Sequence, residues 1–142
     1  MAVLVENLMD SLVSSIDKCD EVVVISGYSS PDVIDTIAKL GKPTTFYYGM
    51  YGAEGITDRQ LTSFRSLQAT HVALDIQLVY KHRVHTKAYL LLNDGQIVHA
   101  LVGSANFSSN GLLGVKNSEI LVELNAQELA VGSQYLIQLD TY

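Results

Sequence analysis

Apolar and polar positions follow two rhythms along this chain. In VENLMDSLVSSIDKC, Val5, Leu8, Leu12 and Ile16 recur at helical spacing and predict an amphipathic helix. EVVVISGY is a short β-branched run ending at Gly27, which predicts a buried strand. SSPDVIDTIAKLGKP carries both ends of a helix, with Ser30 as N-cap, Pro31 at the first helical position and Gly41 just past the end. TTFYYG predicts a second strand. After the loop GMYGAEGIT, Thr57 is placed to cap DRQLTSFRSLQA as a third helix. The order α-β-α-β-α predicts a mostly parallel sheet with helices on its faces.

Three strand-like runs follow: HVALDIQLVY, HTKAYLLLN and QIVHALVGS. Asn93-Asp94-Gly95 joins the last two as a tight hairpin, because Asp-Gly supplies the positive φ the turn needs. SANFSSNGLLG reads as a loop or short helix and NSEILVEL as another strand. NAQELAVGSQYLIQLDTY reads as a final helix capped by Asn125. The expected fold class is α/β: a mixed, mostly parallel sheet flanked by helices on both faces. With no repeat, low-complexity tract or linker, residues 1–142 are expected to form a single domain, alone or as the front part of a longer protein.

Composition narrows the setting. An apolar fraction of 48% and a charged fraction of 17% fit a packed globular domain. No apolar run is long enough to span a membrane, and the N-terminus lacks the pattern of a signal peptide, so a cytoplasmic location is expected. The lone Cys19 excludes an intrachain disulfide and a Cys-rich metal site. The net charge of −6 argues against a polyanionic partner until its distribution is considered. Between Ile76 and Ser118, Lys81, Arg83, Lys87 and Lys116 face Asp94 alone. Such a local positive potential can recruit an anion to an acidic protein.

That basic stretch also holds the residues with chemical potential. Alternate strand residues share a face, so His85 and Lys87 are expected to point the same way, about 7 Å apart. The hairpin folds Gly103, Ser104 and Asn106 back beside them, and Glu119 starts the next strand. Lys87 offers a point charge, and Asn106 and Ser104 offer donors for the oxygens of a phosphodiester; backbone N–H groups at Gly103 can add more. The His85 imidazole can attack phosphorus, with Glu119 as the carboxylate that fixes its tautomer. Lys81 and Arg83 suit contacts to a phosphate backbone. Tyr47, Tyr48 and Tyr51 could stack on bases, although a half-buried aromatic cluster is the commoner outcome. His99 is expected as a satisfied sheet residue and His71 as an exposed strand start. No His/Cys/carboxylate grouping has metal-ligand spacing, so no cofactor is expected.

His85-Thr86-Lys87, then Gly103-Ser104-Ala105-Asn106-Phe107-Ser108, then Asn117-Ser118-Glu119, resembles the signature of the phospholipase D superfamily. The nearest branch is that of its nucleases and metal-independent restriction endonucleases. The resemblance covers roughly the whole chain and implies one phospholipase D-like repeat. Members join two such motifs across a twofold axis, one His acting as nucleophile and the other as general acid. One motif in this chain therefore implies a homodimer with a composite site, acting on DNA without a membrane or a metal. The family's Asp five positions after the Lys is Leu92 here, a loss the nuclease branch tolerates. Two rivals stand beside this reading: a phosphodiesterase for lipid headgroups or other small phosphodiesters, and an inactive dimerisation or binding scaffold.

Overall fold

The computed structural model describes residues 1–49, 51, 55–114, 116–125 and 128. In chain order its elements are β1 (Ala2–Leu4), α1 (Leu8–Ile16), β2 (Glu21–Ser26), α2 (Pro31–Ala38) and β3 (Thr44–Tyr48). There follow α3 (Asp58–Thr70), β4 (Leu74–Leu78), β5 (Ala88–Asn93), β6 (Gln96–Gly103), α4 (Ser109–Leu112) and β7 (Leu121–Asn125). The seven strands form one sheet in the order β1-β7-β6-β5-β2-β3-β4.

Of the local signals that predict the helices, those at the ends of α2 and α3 largely hold, whereas α1 starts only at Leu8 and leaves Val5 outside it and exposed. Thr57 and Gln60 form a reciprocal capping box at the start of α3. Pro31 opens α2, and Gly41 follows it with φ +81°. Ser30 takes the extended N-cap conformation, but its side chain makes no cap bond within α2 and accepts from Ser109 N at 2.9 Å instead. Asp94 and Gly95 have φ 52° and 76°, so the β5–β6 hairpin turns where the Asp-Gly signal lies.

The expected mostly parallel sheet is corrected. β2 pairs parallel with β3, and β3 with β4. The other four pairings, β1–β7, β7–β6, β6–β5 and β5–β2, are antiparallel. The α-β-α-β-α order governs only the first half of the chain. Beyond β4 no crossover helix of the first half's kind recurs: a two-residue turn makes β5 and β6 antiparallel, β7 returns beside β6 after the short α4, and β5 enters against the free side of β2. The sequence gives no sign of β1, three residues that complete the edge beside β7.

Strand alternation divides the core. Val22, Val24, Phe46, Tyr89, Leu91, Leu101 and Leu121 face one way and pack with the buried side chains of α1, α2, α3 and α4. Val23, Ile25, Leu90, Leu92 and Ala100 face the other way. Among the described residues no helix joins that second cluster. The C-terminal helix expected there lies outside the described residues, although Asn125 and Glu128 exchange the reciprocal bonds of a cap: Asn125 Oδ1 accepts from Glu128 N, and Glu128 Oε1 from Asn125 N.

His71 is corrected from an exposed strand start to the C-cap of α3. Its Nε2 lies 2.6 Å from Asp35 Oδ1, while Lys39 Nζ lies 2.7 Å from Asp35 Oδ2, tying α2 to α3. Bonds from Lys39 and then His71 hold the Asp35 carboxyl below the ordinary carboxylate range. The Ser109 hydroxyl does the same for Asp32. A depressed carboxyl stabilises the fold above its unfolded pKa, and that contribution is lost as pH falls through the folded value. Thermal midpoints are therefore expected to drop below about pH 4, with Asp35→Asn flattening the slope in a pH series of melts.

Candidate active site

The antiparallel run of β2, β5, β6 and β7 brings the end of one strand beside the start of the next. Register pairs Ile25 with Ala88, Ala88 with Val102, and Gly103 with Leu121. Ser26, Lys87, Ser104 and Ile120 therefore gather at one end of the sheet. His85, Lys87 and Glu119 lie just outside the regular strands, since β5 begins at Ala88 and β7 at Leu121. The strand expected to hold His85 and Lys87 is corrected to an extended lead-in.

Gly103 makes the gathering tight. A Cβ on it would lie 2.1 Å from the Ile120 carbonyl oxygen, a distance no side chain allows. Gly103 N donates to Lys87 O at 3.2 Å and Ser104 N to Ile120 O at 2.9 Å, while Ile120 N donates to Ser104 Oγ at 3.0 Å. The Ser104 hydroxyl hydrogen-bonds the Glu119 carboxylate. Within one chain the structure thus places Glu119 on Ser104, not on the imidazole expected for it.

Lys87 is buried, with 8% exposure, yet its ammonium emerges at the site. Lys87 Nζ donates to His85 O at 2.7 Å and lies 3.1 and 3.2 Å from the two ring nitrogens of His85. An ammonium only donates, so this contact fits a neutral imidazole. Burial lowers the Lys87 pKa, and the charge of Glu119 works in the opposite direction. His85 itself is exposed, and so are Lys81 and Arg83 on the segment leading to it.

In Ser104-Ala105-Asn106-Phe107 the residues alternate between site and core. Ala105 and Phe107 are fully buried, and the Phe107 ring meets Phe46 and Tyr89 at 5.1 and 6.1 Å. The buried Tyr89 hydroxyl donates to Ala105 O at 2.7 Å. Both anchors turn Ser104 and Asn106 outward. The Ser26 hydroxyl donates to Tyr28 O at 2.6 Å and lies 3.2 Å from Asn106 Oδ1, and Ser26 Oγ accepts from Phe107 N at 3.0 Å. These contacts hold the Asn106 amide at the site, where its NH₂ can donate to a ligand.

Ser26 is the site residue that sequence reasoning missed. It is fully buried at the end of a β-branched run, and two of its three partners lie 80 and 81 residues away. Ser26→Ala is expected to cost about 1–3 kcal/mol by stranding the Phe107 N–H. A lower urea midpoint at unchanged slope would show it.

The remaining candidates play structural parts. Tyr48 is buried against Phe46, Phe64 and Tyr51, and Tyr51 donates to Val79 O, so these two form an aromatic cluster, while Tyr47 packs half-buried against the second cluster on the other face. His99 is half-buried on β6, 4.0 Å from Glu123, and its Nε2 lacks a hydrogen-bond partner, contrary to the satisfied residue expected. Leu92, at the position of the family's Asp, is buried in the second cluster. Among the described residues no cluster of His, Cys, Asp or Glu could hold a metal ion, and no helix is long and apolar enough to cross a membrane.

A mixed α/β sheet that gathers His-x-Lys, Gly-Ser-x-Asn and Glu at one end defines a phospholipase D-like phosphodiesterase. Residues 6–141 match the family described as the NgoFVII restriction endonuclease N-terminal PLD domain, and the chain belongs to that family. It is an enzyme of the endonuclease class. No curated protein matches the sequence. Among solved structures, the fold is similar to Nuc of Salmonella typhimurium, a phospholipase D family member, with TM-score 0.70 and 18% identity over 99% of this chain and 97% of that one. NucT from Helicobacter pylori gives TM-score 0.66 and 18% identity over 96% and 92%. TrmBL2, an archaeal chromatin protein, gives TM-score 0.55 and 11% identity over 99% of this chain and 54% of that one.

Proposed function

We propose that this chain is the catalytic domain of a restriction-type endonuclease that hydrolyses DNA without a metal, through a phosphohistidine. The convergence of His85, Lys87, Ser104, Asn106 and Glu119 at one end of the sheet carries the reading. A ring nitrogen of His85 attacks phosphorus, and the bond to the leaving deoxyribose oxygen breaks. The imidazole of a second copy protonates that oxygen. The same imidazole then takes a proton from water, whose oxygen attacks phosphorus and releases His85. Lys87 and the Asn106 amide stabilise charge growing on the non-bridging oxygens, a part that divalent cations play elsewhere.

Glu119 has two tasks in this scheme. It fixes Ser104, and it keeps a cation favoured at Lys87 despite burial. Its second oxygen is available to an imidazole N–H once two copies meet. Support for pairing comes from the apolar surface beside the site: Val5 and Leu113 are exposed at 67% and 53% and line a cavity of about 360 Å³ that also touches Glu119. Lys81 and Arg83 supply exposed positive charge next to His85, which favours a polyanionic substrate over a phospholipid. Turnover of plasmid DNA against phospholipid vesicles tests the substrate class. Sedimentation equilibrium tests the pairing, and a strictly monomeric active enzyme overturns it.

A further inference from the structure

A cleft of about 340 Å³ opens beside Asn106 and Glu119 and extends away from His85 and Lys87 toward the start of α2. Apart from Glu119 its wall is uncharged and rich in hydrogen-bonding groups: the Ser30 hydroxyl and the side chains of Asn106, Asn110 and Asn117. Tyr28 stands at the cleft with 52% of its surface exposed. No lysine, arginine or histidine lines it among the described residues. Two carboxylates are near, Glu119 in the wall and Asp32 behind the Ser109 hydroxyl at 2.6 Å.

These features exclude a second phosphate and favour an uncharged, planar, hydrogen-bonding group. We propose that the cleft is a nucleoside subsite, taking the base and sugar of one nucleotide that flanks the scissile phosphate. This rests on the phosphodiesterase reading above and extends it. The Tyr28 ring stacks on the base, and the amides of Asn110 and Asn117 meet the base edge. Asn106 belongs to both places, so it links the seated nucleoside to the phosphate at Lys87. The wall is held rigid by Ser109 N donating to Ser30 Oγ and by the Ser109–Asp32 bond. Its volume is at the small end of ligand pockets, roughly 300–1,000 Å³, so it admits one nucleoside and no duplex. A base enters only when unstacked from its neighbours.

Single-stranded oligonucleotides carrying one abasic residue, scanned across each side of the cut, test this. Wild-type kcat/KM is expected to fall on the order of tenfold to hundredfold when the seated base is missing. Tyr28→Phe keeps that discrimination. Tyr28→Ala is expected to lose most of that discrimination, keeping only the smaller part that Asn110 and Asn117 contribute, and an unchanged circular-dichroism melt shows that the variant is folded. Equal wild-type rates on both strands, or full discrimination by Tyr28→Ala, overturn the subsite. If the wild-type protein cleaves no oligonucleotide, the phosphodiesterase reading is what fails. An NMR titration with deoxyadenosine then decides the cleft, by shifts at Gly111 and Asn110 that Tyr28→Ala abolishes or by their absence from the wild-type protein.

Discussion

His85→Ala is expected to lower plasmid cleavage on the order of 10⁴-fold or more, while EDTA leaves the native enzyme's rate unchanged. The two results belong together. In the proposed composite site, losing the imidazole at position 85 removes both the nucleophile of one half and the acid of the other. Lys87 remains to bind the phosphate, so the variant should still retain DNA while failing to cut it. Subunit mixing makes the loss more specific. If native and variant subunits exchange freely, an equal mixture keeps about one quarter of native activity, because only homodimers of the native chain hold both imidazoles. Retention of one half would mean that each chain works alone. A denaturing quench of labelled substrate should trap phosphate on the native protein and none on His85→Ala. A normal rate for His85→Ala, or abolition by EDTA, would overturn the mechanism.

Gly103→Ala is expected to lose activity and fold stability together. The added methyl meets the Ile120 carbonyl oxygen at 2.1 Å, and that oxygen is backbone already bonded to Ser104 N. Neither partner can move without opening the β6–β7 ladder. Overpacking of this kind costs about 3 kcal/mol, near the upper end of its usual range, and lowers Tm on the order of 10 °C. The damage is local before it is global. Parting Gly103 from Ile120 also parts Ser104 from Glu119, so cleavage measured well below the lowered Tm should already be lost. A variant with normal Tm and normal cleavage would show that the close approach is not needed. The glycine's role here is closeness, since its φ is not in the left-handed region.

Much of this site is legible in the chain because its parts lie close together along it. One hairpin of two apolar runs carries His85 to Asn106, and the Asp-Gly turn brings their far ends together, although a register shift at Leu91–Leu92 is not visible in the sequence. Gly103 is visible in the sequence as part of a motif, but its steric reason appears only when Ile120 lies against it. Glu119 is visible as a strand start, yet its partner is not, because nothing local in the chain says whether the carboxylate meets Ser104 or the imidazole. Ser26 is invisible for a different reason. It bonds Asn106 only because β5 inserts beside β2, and nothing local in EVVVIS announces that pairing. The same insertion explains the sheet. Periodicity identifies strands one at a time, but their order follows from which free edge each hairpin meets.

The edge pairing of β1 with β7 bears on synthesis. Ala2–Leu4 are made long before their partners Leu121–Glu123. The loop to be closed runs from β1 to β7, which makes this a late contact in folding. Glu119 arrives with it, two residues before β7. The hairpin and helices can therefore form before β7 docks, yet Glu119 reaches Ser104 only afterwards, so the site stays incomplete through the early stages of folding.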